Sequence, residues 1–184
     1  MVTMSDTILS QLPLKTGTWA LDTNHVRVGF AIRHLGVARV RGLFSSVDAR
    51  LVVGTTPESS SVEATIDIAS LDTGNADRDA HVLSPELLDV ATRPAITFRS
   101  TTIAGSGEDW TLDGDLTIGA VTRPVRLTVE FGGVAEFFDG TRHAGFEARG
   151  EIRRKDFGID FGPVNALLGD VVKLEIDLEF IEPA

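Results

Sequence analysis

Apolar and polar residues alternate at a spacing of two through most of the chain, the pattern of strands with one dry side and one wet side. In "HVRVGFAIRH", positions 25–34, Val26, Val28, Phe30 and Ile32 share one side, while His25, Arg27, Gly29, Ala31 and Arg33 share the other. In "ARVRGLFSSVDARLVV", Val40, Gly42 and Phe44 keep one phase and Val47, Ala49, Leu51 and Val53 the opposite parity. The switch at Ser45-Ser46 predicts a bulge that bends the strand. The same alternation places Val62, Ala64, Ile66 and Ile68 together, then Ile96 with Phe98, Trp110 through Ile118, and Val125 through Phe131. It continues with Phe146, Ala148, Gly150 and Ile152, and ends with Val172 through Phe180. "GTWALD" is a short run ahead of these.

Two stretches break the pattern. "SPELLDV" reads as a short helix, with Ser84 as N-cap, Pro85 at the first helical position and Glu86 at the positive end. It lies in a long excursion over 71–93. "GPVNALLGD" reads as a further turn or two stopped by Gly169. Elsewhere the connections are short and carry turn residues, as in "AGSGED" and "FDGT". Short connections favour antiparallel neighbours.

About eight long antiparallel strands, each with one charged side, must hide the other in a sandwich or a closed barrel. An eight-stranded barrel has an interior that side chains just fill, or that holds one small ligand. The inward phase includes Gly42, Ala64, Gly114, Ala148 and Gly150. Small residues there make room for a guest, or glycine permits the coiling that a barrel needs; the pattern leaves both open. We read one barrel domain over 17–184, with 1–16 as an N-terminal extension.

Composition narrows the function. The formal net charge is −10, which disfavours nucleic acid and anionic membrane surfaces as partners. There is no cysteine, so disulfides, thiolate catalysis and Cys-based metal sites are out of reach. The first residues lack the charged and apolar regions of a secretory signal, and no apolar run approaches a membrane span. The expectation is a cytoplasmic protein without stable membrane insertion.

The chemistry-bearing residues form no known catalytic pattern. His25, His34, His81 and His143 make no HxH or HExxH pair, so a metal site would need convergence from distant strands and none is expected. No G-x-S-x-G elbow or phosphate-cradling loop occurs, and no catalytic residue or cofactor is assigned. "ADRDAH", 76–81, gathers Asp77, Arg78, Asp79 and His81, either to meet a polar headgroup or to lock the excursion onto the barrel. Trp19 and Trp110 read as core or rim aromatics.

Four ordered stretches, "WALDTNHVRVGFAIRHLGVARVRGLF", "SLDTGNADRDAHVLSPELLDVATRPAITFRS", "LDGDLTIGAVTRPVRL" and "EIRRKDFGIDF", together resemble the YceI-like family over roughly residues 17–180. The matching positions include Trp19, Asp22, His25, His34, Gly42, Phe44, Arg78, Asp79, His81, Phe98, Gly114, Phe157 and Gly158. Two departures stand out: Gly119-Ala120-Val121 where the family hairpin reads His-Gly-Val, and Asn24 where serine is common before His25.

The resemblance implies an eight-stranded antiparallel lipocalin-like barrel with one or two short helices near one end. It implies a non-catalytic binding protein for a long amphiphile, a polyisoprenoid or isoprenoid quinone or a related lipid, and a homodimer. By phase, Phe30, Ile32, Phe44, Ile66, Ile68, Phe98, Leu116, Phe146 and Ile176 are expected to line the cavity. His34 and Arg78 are candidate headgroup contacts or, alternatively, a buried polar clamp. The rival readings are a barrel enzyme on a small apolar substrate, with His34, Arg78 or Asp79 at the mouth, and a packed dimeric stress-response scaffold.

Overall fold

The structure, a computed structural model, describes residues 13–184, so most of the N-terminal extension lies outside it. Its strands are β1 (Gly17–His34), β2 (Ala38–Phe44), β3 (Val47–Val53), β4 (Ser61–Asp67) and β5 (Leu71–Asp72), then β6 (Ala95–Ser106), β7 (Asp109–Ile118), β8 (Val121–Glu136), β9 (Arg142–Arg153) and β10 (Leu168–Ile181). A single sheet runs β10-β9-β8-β7-β6-β4-β3-β1, and β1 pairs with β10 to shut it. The result is a closed eight-stranded antiparallel barrel, with β2 and β5 continuing the wall beside β1.

"GTWALD" and "HVRVGFAIRH" belong to one 18-residue strand, β1, rather than to two. Its first half pairs with β3, from Gly17↔Val53 to Ala20↔Arg50, and its second half with β2, from Val28↔Phe44 to His34↔Ala38. The parity switch at Ser45-Ser46 is where this shared path breaks into two strands. The departure at Gly119-Ala120 is a two-residue hairpin turn, closed by Ile118↔Val121, with Gly119 at φ +62°. Glycine in the first central position suits such a turn.

The helix sits one step earlier than expected. α1 spans Ala76–Leu83, and Asn75 is its N-cap, its side chain accepting from the Arg78 N–H at 2.9 Å. Ser84 closes this helix instead of opening one, its N–H donating to the His81 carbonyl. The physical reason is Pro85, which drives Ser84 to the extended backbone at ψ 163°. "SPELLDV" therefore forms turns. A 3-10 helix covers Gly162–Leu167, as the second break in the pattern implied, but Gly169 lies inside β10 rather than stopping it.

The barrel interior is divided along its length. At one end Trp19, Leu51, Val53, Trp110, Phe131, Ala144 and Phe180 form a filled core. Both indoles are satisfied, Trp19 Nε1 donating to the Lys15 carbonyl and Trp110 Nε1 to the Gly107 carbonyl. The second cluster, around Ile32, Ile68, Leu116, Leu127 and Phe157, surrounds open space.

At Gly42 and Gly114 the room is taken by the protein itself rather than by a guest. A Cβ at Gly42 would meet the Phe30 ring within 2.8 Å, and one at Gly114 would meet the Phe98 ring. Phe30 faces Gly42 across the β1–β2 ladder, and Phe98 lies diagonal to Gly114 on β6–β7. These two glycines make room for the protein's own phenyl rings.

Candidate functional site

The open half of the barrel holds a cavity of about 520 Å³. This lies within the roughly 300–1,000 Å³ typical of ligand sites. Its wall is hydrocarbon from almost every strand: Phe30 and Ile32 of β1, Phe44 of β2, Ile66 of β4, Phe98 of β6, Leu116 of β7 and Ile176 of β10. Val82 of α1, with Leu87, Leu88, Phe161 and Val164, covers one end. The exposed lining residues Arg78, His81 and Leu167 mark where it meets solvent. Leu35 and Val37, in the β1–β2 turn tied to Leu167 by the Leu35 N–H···O=C bond, add an exposed apolar rim.

Polar side chains on the wall are few: His34, Thr73, Arg78, His81 and Arg154. Thr73 is the hub of the mouth. Its hydroxyl donates to Asp79 Oδ1, and its N–H donates to the same oxygen at 3.0 Å. Arg78 reaches back from α1 and donates from Nε to Thr73 Oγ1 at 2.8 Å and from Nη2 to the Thr73 carbonyl at 2.7 Å. The "ADRDAH" segment thus locks α1 to the β5 end while presenting Arg78 to the cavity. His81 lies 3.2 Å from Glu86.

Arg154, following β9, is only 2% exposed and is held entirely by main-chain carbonyls, those of Gly169, Ile159, Asn165 and Leu168. Its guanidinium lies over the Phe161 ring at 4.6 Å. It ties the 3-10 helix over the cavity to the barrel wall.

The structure brings Phe30, Ile32, His34, Phe44, Ile66, Ile68, Arg78, Phe98, Leu116 and Ile176 together on this one surface. Phe146 is placed elsewhere: its ring packs 5.3 Å from Phe131 and 6.0 Å from Phe180, in the filled end. Its phase is inward as expected, but it sits too far along β9. Sequence reasoning missed Thr73 and Arg154, and named His81 only as one of the "ADRDAH" group, not as a cavity-lining residue. For Arg154 a signal existed, because it continues the inward parity of Phe146, Ala148, Gly150 and Ile152.

A closed antiparallel barrel, hollow at one end with an apolar cavity and a small polar mouth, defines a lipocalin-like binding protein. The particular family follows from comparison with known proteins. Residues 19–180 match the model of the YceI-like domain, and the chain belongs to that family. It is 40% identical over 154 residues to the UPF0312 protein of Enterobacter sp. (strain 638), covering 82% of this chain and 80% of that one. Among solved structures, the YceI protein of Campylobacter jejuni superposes with a TM-score of 0.73 at 30% identity, over 83% of this chain and 90% of that one. A polyisoprenoid binding domain from Saccharophagus degradans, implicated in plant cell wall breakdown, superposes with a TM-score of 0.66 at 17% identity, over 90% and 98% of the two chains. Among the described residues, no helix is long and apolar enough to cross a membrane.

Proposed function

We propose that the chain is a non-catalytic carrier that holds a polyisoprenoid, an isoprenoid quinone or a similar long amphiphile in the barrel cavity. The observation that carries this reading is the 520 Å³ cavity with hydrocarbon on nearly every side. Each methylene moved from water into it contributes about 0.8 kcal/mol, so one isoprene unit supplies several kcal/mol against the cost of ordering the guest. The tail lies against Phe44, Ile66, Phe98, Leu116 and Ile176, and the headgroup meets His34, Thr73, Arg78 and His81 at the mouth. The polyisoprenoid-binding neighbour of the same fold supports this choice of guest. The cytoplasmic placement and the homodimer expected from the sequence belong to the same proposal, and are checked by cell fractionation and by light scattering of the purified chain.

The decisive experiment is native mass spectrometry with lipid extraction on protein never exposed to detergent. The wild type is expected to carry an extractable amphiphile, or to take up added prenyl lipid. Ile66→Trp, which fills the cavity, is expected to cut retention by more than half. Phe146→Leu, outside the cavity, is expected to leave it unchanged. A folded wild-type protein that neither carries nor accepts such a lipid overturns the proposal.

A further inference from the structure

On the far side of β1 from this cavity, four side chains from three strands converge. β1 carries a large bulge: its ladder with β10 runs Leu21↔Phe180 and resumes at Val26↔Leu178, so Asp22, Thr23, Asn24 and Asn24's neighbour His25 stand opposite Glu179 alone. The Asp22 carboxylate holds the bulge by accepting from the Asn24 N–H at 2.9 Å, and its other oxygen lies 2.7 Å from His25 Nδ1. His25 Nδ1 is also 3.4 Å from Glu179 Oε2. From β9, His143 Nδ1 approaches Asp22 Oδ2 at 3.4 Å and Glu179 Oε1 at 3.2 Å.

His143 points to what belongs between these groups. It is 8% exposed, and among the described residues its Nδ1 finds no hydrogen-bond partner. Its other nitrogen, Nε2, lies 2.8 Å from Thr141 Oγ1, and that hydroxyl donates to Asp139 Oδ1 at 2.6 Å. A hydroxyl that gives its proton to a carboxylate can only accept from the ring, so Nε2 carries the hydrogen in the neutral imidazole. Nδ1 then carries the lone pair and stands 3.2–3.4 Å from two carboxylate oxygens without bonding to either, a spacing that leaves a place for a cation between them. The Asp139–Thr141–His143 chain is the kind of outer support that orients a ligating histidine.

The spacing agrees. Metal–ligand bonds of about 2.0–2.2 Å at tetrahedral angles put neighbouring ligand atoms roughly 3.3 Å apart. Asp22, His25 and Glu179 offer ligand atoms that all lie within 4.8 Å of one another, and Glu179 meets His25 through Oε2 at 3.4 Å and His143 through Oε1 at 3.2 Å, while His143 stands 3.4 Å from Asp22. The closer pair, His25 and Asp22, is joined by a hydrogen bond whose proton a metal ion displaces. That bond, with Glu179 nearby, holds the His25 ring above its ordinary pKa of 6.5, and the ring holds Asp22 below 3.8. His25 and Glu179 also line an outer groove between β1, β10, β9 and β8, which gives an ion an access route.

We propose that Asp22, His25, His143 and Glu179 form a binding site for one divalent transition-metal ion of the zinc class. Two imidazoles and two carboxylates suit such an ion better than magnesium or calcium, which take oxygen ligands. The site stands on different residues from the lipid cavity, so either proposal can fail alone.

The test is calorimetric titration of chelator-treated full-length protein with Zn²⁺, and of the same protein with Co²⁺ followed by its visible spectrum. One Zn²⁺ per chain is expected, with the intense visible absorption of four-coordinate cobalt. His25→Ala and Glu179→Gln are each expected to weaken Zn²⁺ binding more than tenfold. Thr141→Val, which touches no ion, is expected to weaken it about tenfold by freeing the His143 ring. Because His25 is half-exposed, its variant is the one least able to disturb folding. Absence of saturable one-to-one binding in the wild type overturns the proposal. So does undiminished Zn²⁺ affinity in a folded His25→Ala variant.

Discussion

Arg154 brings a full charge to the wall of an apolar cavity, and its hydrogen bonds go to four carbonyls rather than to a carboxylate. Hydrogen bonds to a charged group are worth about 1.5–3 kcal/mol each, and an unsatisfied buried carbonyl costs a further ~1–3 kcal/mol. Lysine keeps the charge but cannot span four acceptors with one ammonium. Arg154→Lys is therefore expected to cost at least about 3 kcal/mol, read as a lower urea midpoint with an unchanged slope. Arg78 is a different kind of residue. It is exposed, and its hydrogen bonds reach only as far as Thr73. Arg78 is therefore not the buried clamp to the β1–β2 hairpin, the alternative expectation: its side-chain bonds stay within the 71–93 excursion, and they hold it at the cavity.

Adjacent strands are matched ring to glycine. Gly42 on β2 takes the Phe30 ring of β1, and Gly114 on β7 takes the Phe98 ring of β6. Adding a methyl group at Gly42 forces the ring off its place, and overpacking of this kind costs about 1–3 kcal/mol. Gly42→Ala is expected to destabilise by that amount, and Phe30→Leu to relieve part of it. A double-mutant cycle is expected to return a coupling of about 0.5–3 kcal/mol, whereas additive effects would mean that the ring does not depend on the glycine. The helix shows how local signals compete. Ser84-Pro85, read from the sequence as an N-cap with proline at N1, is in the structure a C-cap followed by its stop. Asn75, with Asp77 and Asp79 in the first turn and His81 in the last, favours the earlier segment.

The whole barrel separates stability from capacity. Its filled end is built on Trp19, which is fully buried, and truncating a buried aromatic typically costs about 3–5 kcal/mol. Trp19→Ala is expected to lose that much stability, by denaturant titration, while the protein that remains folded retains its lipid. A loss of lipid in step with Trp19 truncation would show that the two ends are not independent. The amino-acid order alone marked most of the strands, their antiparallel preference and which side of each faces inward, because an extended chain alternates with period two and burial follows that alternation. It divided β1 into two runs and missed the short β5. Together with the family motifs, it also placed Phe30, Ile66, Phe98 and Ile176 on the dry side. It did not contain their height along the barrel. Height depends on the stagger between strands, fixed by hydrogen bonds between residues far apart in sequence, and so Phe146 fell into the filled end while Phe98 came to line the hollow one. The same long-range pairing, with β10 closing onto β1, brought His143 and Glu179 to the Asp22–His25 bulge, a meeting of residues more than 100 positions apart that no local spacing encodes.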